Sequence, residues 1–158
     1  MNQLKLKVIT PERLVLEEDF DGVSLPTTEG EITILPDHVP LIAGLASGDI
    51  VAHSGGDELP MAVVGGFLEV KSVPKALLWG DPQSKALRTE VIVLADFAEH
   101  VSELGEEKIE QAKARAEELR KQMENKEVID FEHFAAELER SLTRVRIAEK
   151  WRTKKYRK

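Results

Sequence analysis

Apolar and polar residues alternate through most of the first hundred positions. Leu4, Leu6 and Val8 are separated by Lys5 and Lys7, the period of two expected of a strand with one buried face. Pro11 ends that run, residues 13–16 open the next, and Phe20, Val23 and Leu25 carry the pattern to a turn at Pro26-Thr27-Thr28. Residues 29–41, EGEITILPDHVPL, alternate through Ile32 and Ile34 and break at Leu35-Pro36. We read this stretch as a hairpin anchored inside by Ile32, Ile34 and Ile42, with Glu31 and His38 at an exposed sheet end. Ser47-Gly48 marks a turn, Ile50-Val51 a short strand and Ser54-Gly55-Gly56-Asp57 a loop. Residues 59–70 are apolar but interrupted at Gly65-Gly66, where paired glycines point to a bulge or a close backbone approach. Residues 91–95, VIVLA, form a continuous apolar run compatible with burial on both faces. Residues 71–90 hold Trp79 and a Gly80-Asp81-Pro82 turn, either a hairpin excursion or a surface loop with one anchoring aromatic. Many short strands separated by polar turns predict a β-sandwich.

From Ser102 the period changes. Ile109, Ala112, Ala116, Leu119 and Met123 are spaced 3, 4, 3 and 4, a narrow helical seam whose two alanines admit a close partner. Asp130 stands before a second pattern at Phe131, Phe134, Leu138, Leu142 and Val145, the position of a helix N-cap. The two stripes predict an antiparallel helical hairpin with little core of its own, stable only when docked. The expected division is a β-sandwich over residues 1–101 and a two-helix domain over residues 102–158.

Charge divides with the pattern. Residues 1–100 carry 7 Lys and Arg against 16 Asp and Glu, whereas residues 101–158 carry 15 against 13. Residues 140–158 hold nine cations and one acid, Glu149. Such clustering suits nucleic acid, an ordinary charged helix face or an acidic protein groove. The apolar seam on the same helix and the acidic chain as a whole argue against nucleic acid. The chain has no cysteine, hence no disulfide framework and no thiolate chemistry. The N-terminal residues lack the apolar core of a signal peptide, and no run approaches the ~18 apolar residues of a membrane span, so a soluble protein is expected.

Catalytic chemistry is not legible. His38, His53, His100 and His133 are scattered without ligand spacing, so no metal site is expected. Gly65-Gly66 lacks the spacing of a dinucleotide site, no GxxxxGK[ST] occurs, and Ser24, Ser47 and Ser54 lack a nucleophile elbow. Neither an enzyme activity nor a cofactor is expected.

Six segments in order carry a resemblance: VITPERLVL, EGEITILPDHVPLI, the GDI turn at Gly48, VVGGFLEVK, VLADFAEHVSEL and RVRIAEK. Together they resemble the epsilon subunit of F-type ATP synthases, whose signature is roughly EGExGxLPGHxPL. The resemblance implies a ten-stranded sandwich and a two-helix C-terminal domain in a non-catalytic rotor part, peripheral to the cytoplasmic face of the bacterial plasma membrane. It implies partners: the gamma subunit, the c-ring and, through the helices, the catalytic alpha and beta subunits. On that pattern Glu31 and His38 match positions near the c-ring loops, and Gly65, Gly66 and Phe67 belong to the gamma side. The helices would restrain ATP hydrolysis when extended, with Arg140, Arg144, Arg146 and Lys150 drawn to acidic surfaces. Some members bind ATP between these helices through an [IL]DxxRA motif and two arginines. Here Gly105 and Lys108 replace the motif's Asp and Arg and Ile109 its Ala, which leaves Lys108, Arg115, Arg140 and Arg144. Without the carboxylate and the forked guanidinium, tight ATP binding is not expected. Asp37 replaces the usual glycine before His38, and residues 73–89 are longer than the family's turn. The alternative reading is a soluble sandwich adaptor with a helical protein-binding tail, which would fail to co-purify with gamma.

Overall fold

The structure, a computed structural model, describes residues 2–74, 87–125 and 130–155. The expectations for Trp79 and for the excursion around it lie outside the described residues. Two compact units are resolved by their internal packing, Met1–Ala98 and Glu99–Lys158.

The first unit carries strands β1 (Leu4–Ile9), β2 (Leu14–Phe20), β3 (Gly22–Thr27), β4 (Gly30–Ile34) and β5 (Leu41–Gly44). It continues with β6 (Gly48–Ser54), β7 (Asp57–Val64), β8 (Phe67–Pro74), β9 (Leu87–Leu94) and the start of β10 (Phe97–His100), whose last two residues, Glu99 and His100, belong to the second unit. They form two five-stranded sheets, ordered β2-β1-β9-β8-β5 and β10-β7-β6-β3-β4. The predicted sandwich of ten strands is therefore present. The alternation in sequence becomes the core. Leu4, Leu6, Val8, Leu68, Val91 and Val93 from one sheet are fully buried, as are Val23, Leu25, Ile34, Ile50, Met61 and Val63 from the other. Each such side chain contributes about 1.5–3 kcal/mol relative to exposure.

Three expectations are corrected. Residues 29–41 are not a hairpin. β4 lies at the edge of one sheet and β5 at the edge of the other, and residues 35–40 cross between them. Ile34 is buried and Ile32 packs on the core, but Ile42 is 75% exposed. β5 turns Leu41 toward the core, and the period of two then sends Ile42 outward. Gly65-Gly66 is a junction between β7 and β8 in different sheets, with no bulge, although the close backbone approach is real. Residues 91–95 are buried on one face only, since Leu94 is 53% exposed.

In the second unit a single 3-10 turn, Val101–Glu103, leads to α1 (Glu106–Glu124) and α2 (Phe131–Lys155). Ile109, Ala112, Ala116 and Leu119 are buried as their spacing predicts. Asp130 caps α2, its Oδ1 accepting the His133 backbone N–H at 3.1 Å. The α2 stripe is displaced from the expected one. Phe131 and Leu142 are exposed, whereas Ser141 and Ala148 are buried and Phe134, Leu138 and Val145 partly so. That set is again spaced 4, 3, 4 and 3. Alanines on α1 favour small residues opposite, and Ser141 and Ala148 meet that need where Leu142 does not. Ion pairs Arg115–Glu137 and Arg152–Glu106 tie the two helices in antiparallel register.

Candidate functional site

The crossing at residues 35–40 presents one candidate surface. Glu31 is exposed on edge strand β4, opposite Pro26 of β3. His38 is half-buried, its backbone N–H donating to the Leu35 carbonyl at 3.2 Å. Its Nδ1 lies 2.7 Å from the Val39 carbonyl, which can accept only if that nitrogen carries the proton. No hydrogen bond or ion pair joins Glu31 to His38. Leu35 and Val39 are exposed beside them, so the surface is mixed apolar and polar. Asp37 has φ 67°, the left-handed region that explains glycine in the family pattern. Its backbone N–H donates to Thr89 Oγ1 at 2.7 Å, and its carboxylate accepts from Asn2 at 3.1 Å. Asp tolerates this conformation better than most residues. We expect Asp37→Ala to be about 1 kcal/mol less stable than Asp37→Gly in urea denaturation, because both lose the Asn2 bond and only alanine keeps the strain of the left-handed backbone.

A second surface is the outer face of the sheet containing β8. Gly65 and Gly66 (φ 59° and 103°) turn the chain so that β8 starts at Phe67, which is 64% exposed. Phe67 pairs with Leu94 on β9 and with Gly44 on β5, and Leu94 pairs with Ile9 on β1. Ile42, opposite Glu69, is a diagonal neighbour of Phe67 on the same face. The result is an exposed apolar corner of Ile42, Phe67 and Leu94, with Ile9 and Ile92 half-buried beside it. Glu69 is exposed beside this corner, and the other charges of the face pair with one another. Lys7 reaches Glu17 at 3.2 Å and Glu90 at 3.5 Å, while Lys5 also pairs with Glu17 and Lys71 with Glu90. Hydrogen bonds from Lys5 and Lys7 hold the Glu17 carboxyl below its usual range.

The helical unit contains the most shielded charge. Glu99 accepts from Lys108 Nζ at 2.8 Å and from Arg144 Nε at 2.9 Å, and only 10% of its side chain is exposed. Burial pushes this carboxyl up, but the two cations outweigh it and hold it below its ordinary 4.5. The stabilisation is therefore complete above that value and is lost as pH falls through the lowered one. Arg115 makes a two-armed contact with Glu137, at 2.7 and 3.1 Å, and a further bond to Glu118 at 2.8 Å. Of the cations singled out in sequence, Lys108 and Arg144 are thus brought together on one carboxylate, and Arg115 is held by others. Arg146 and Lys150 lie exposed on α2, with Arg140 half-buried. Glu99 was missed in sequence, because its partners lie nine and 45 residues away.

Ser24 Oγ lies 3.2 Å from His53 Nε2 and 3.0 Å from Thr33 Oγ1. These side chains share a strand face on which β3 is paired on both sides, so its backbone N–H groups are committed to the ladders rather than to an oxyanion. Among the described residues no three His, Asp or Glu side chains converge as metal ligands, and no helix is long and apolar enough to cross a membrane.

This two-sheet fold is the one defined by the β-sandwich domain of ATP synthase delta/epsilon chains, whose family pattern matches residues 3–73. Across its length the chain is 37% identical to the ATP synthase epsilon chain of Dehalococcoides mccartyi, covering 96% of both chains. It is 36% identical to that of Halalkalibacterium halodurans, covering 94% of this chain and 98% of the relative. With the epsilon chain of Herpetosiphon aurantiacus the identity is 34%, over 92% and 93%. The chain belongs to the ATP synthase epsilon chain family, a non-catalytic subunit of that complex. The fold is also similar to a chain in the Euglena gracilis mitochondrial ATP synthase OSCP/F1/c-ring structure. There the TM-score is 0.60 at 22% identity, over 94% of this chain and 81% of that one. A chain in the Tetrahymena thermophila mitochondrial ATP synthase central stalk/c-ring structure gives 0.51 at 14%, over 93% and 94%.

Proposed function

We propose that this subunit is a rotor part of a proton-translocating ATP synthase, at the cytoplasmic face of the bacterial plasma membrane. The sandwich, residues 1–101, joins the gamma subunit to the c-ring. The helices, residues 102–158, restrain ATP hydrolysis by reaching acidic surfaces of the catalytic subunits through Arg140, Arg144, Arg146 and Lys150. The observation that carries the coupling role is the apolar corner of Ile42, Phe67 and Leu94, exposed on a sheet where Lys5, Lys7 and Lys71 are paired with Glu17 and Glu90. A subunit interface buries such a patch and leaves a polar rim. Gly65 and Gly66 act by placing Phe67 against gamma. Glu31 and His38, at the crossing, face the polar loops of the c-ring. The engagement of Lys108, Arg115 and Arg144 by the chain's own carboxylates supports the absence of a tight ATP site.

The test is ATP hydrolysis by a reconstituted catalytic hexamer plus gamma, with the full-length chain or with residues 1–101. Both are expected to bind gamma, and only the full-length chain is expected to slow hydrolysis, by several-fold. Equal rates with the two would remove the braking role, and failure of both to bind would remove the coupling role.

A further inference from the structure

We propose that Glu99 is a latch that keeps the helical hairpin closed by holding Arg144 against its own chain, in competition with an acidic partner surface. The proposal rests on the braking role given above and names what regulates it. The hairpin gains from such a latch because, among the described residues, only Ile109, Leu119 and Ile147 are large side chains buried along its helices. Ala112, Ala116, Ser141 and Ala148 are four of its buried positions, and small side chains gain little from burial. The interhelical ion pairs Lys113–Glu149 and Arg152–Glu106 join side chains that are 46% or more exposed, and the two-armed Arg115–Glu137 contact joins side chains 41% and 34% exposed, where solvent screens much of the attraction. Glu99 differs in kind. It is shielded, it precedes both helices, and its two oxygens reach Lys108 in the first turn of α1 and Arg144 midway along α2.

Opening the hairpin separates those two cations, so Glu99 cannot keep both. A shielded carboxylate stripped of one partner is costly, which favours the closed form. The same geometry makes opening responsive to a partner. Arg144 leaves Glu99 only for a carboxylate that offers as good a contact, and the neighbouring Arg140, Arg146 and Lys150 bring such a surface close. The latch therefore sets how readily the tail is released.

The experiment uses the full-length chain, which has no native cysteine, with spin labels at exposed Glu117→Cys and Ala136→Cys, one on each helix. Pulsed dipolar spectroscopy then reads the distance between α1 and α2. Glu99→Gln keeps the shape and removes the charge, and it is expected to raise the ratio of long to short distances at least tenfold. Lys108→Gln, at a half-exposed side chain, removes one arm with no cavity and is expected to fall between Glu99→Gln and the native chain. In the assembled enzyme Glu99→Gln is expected to inhibit hydrolysis more strongly than the native residue. A distance shift without a change in hydrolysis would uphold the latch and overturn the braking role. Unchanged distances for both variants, in an enzyme that the native tail does inhibit, would overturn the latch.

Discussion

Gly66→Ala is expected to destabilise the sandwich by about 4 kcal/mol or more, a large share of the ~5–15 kcal/mol that holds an ordinary domain folded. Two costs coincide at this position. Its φ of 103° is one that residues with a side chain rarely adopt. A Cβ there would also lie 2.0 Å from the Leu94 carbonyl oxygen and 2.8 Å from Ala95 Cα. Neither neighbour is a side-chain tip that can swing away. Both belong to the backbone leaving β9, and relief would pull β8 and β9 apart at their first pair, Phe67 and Leu94. Gly56→Ala isolates the first cost, since Gly56 has φ 94° and nothing within 4 Å of a Cβ. About 1 kcal/mol is expected there. Urea denaturation of the two variants, followed by far-ultraviolet circular dichroism, separates clash from strain. Similar losses in both would show that the Gly66 contact relaxes freely.

Phe67→Asp is expected to weaken binding to gamma by about 100-fold or more while leaving the fold intact. Phe67 is 64% exposed, so its replacement removes little core and should shift the thermal midpoint only slightly. At an interface the same residue is a large aromatic beside Ile42 and Leu94, the kind of anchor that carries 2 kcal/mol or more in alanine scans. A carboxylate adds to that loss the penalty of a buried unpaired charge. Titration of labelled gamma with native and variant chains measures the ratio directly. Ile42→Asp should behave similarly, whereas Lys71→Ala, at a side chain paired with Glu90, should not. If Phe67→Asp binds as the native chain does, gamma sits elsewhere on the head.

These two residues also mark how far the sequence could be read. Period-two alternation identified most of the strands, because one buried face imposes that pattern whichever strand lies alongside. It says nothing of the neighbour. Residues 29–41 therefore looked like a local hairpin, although β4 and β5 pair with β3 and β8. The same blindness placed Ile42 inside, since only the pairing to β8 decides which way that strand faces. The glycine pair announced a close approach but not its partner, Leu94, 28 residues further along. On the helices, the α1 seam was legible because its spacing was regular. The α2 stripe was misread because Phe131 and Leu142 outweigh Ser141 and Ala148 in hydrophobicity, while fit against alanines favours the smaller pair. Glu99 was illegible for a simpler reason. A lone carboxylate in a chain this rich in acids becomes distinctive only when folding surrounds it with cations.

The pairing of β1 with β9 has a consequence for how the head is made. β1 holds residues 4–9 and β9 residues 87–94, and they run parallel, Leu6 beside Val91. A ribosome releases β1 first, when it can pair only with β2, and the inner place beside it stays vacant until β9 emerges. β8 and β5 reach β1 only through β9, so one sheet cannot assemble before almost the whole head has been synthesised. Closing so long a loop carries an entropic cost before any contact compensates for it. Nascent heads thus wait with open strand edges, while α1 and α2, whose contacts are local, need no such delay once they appear.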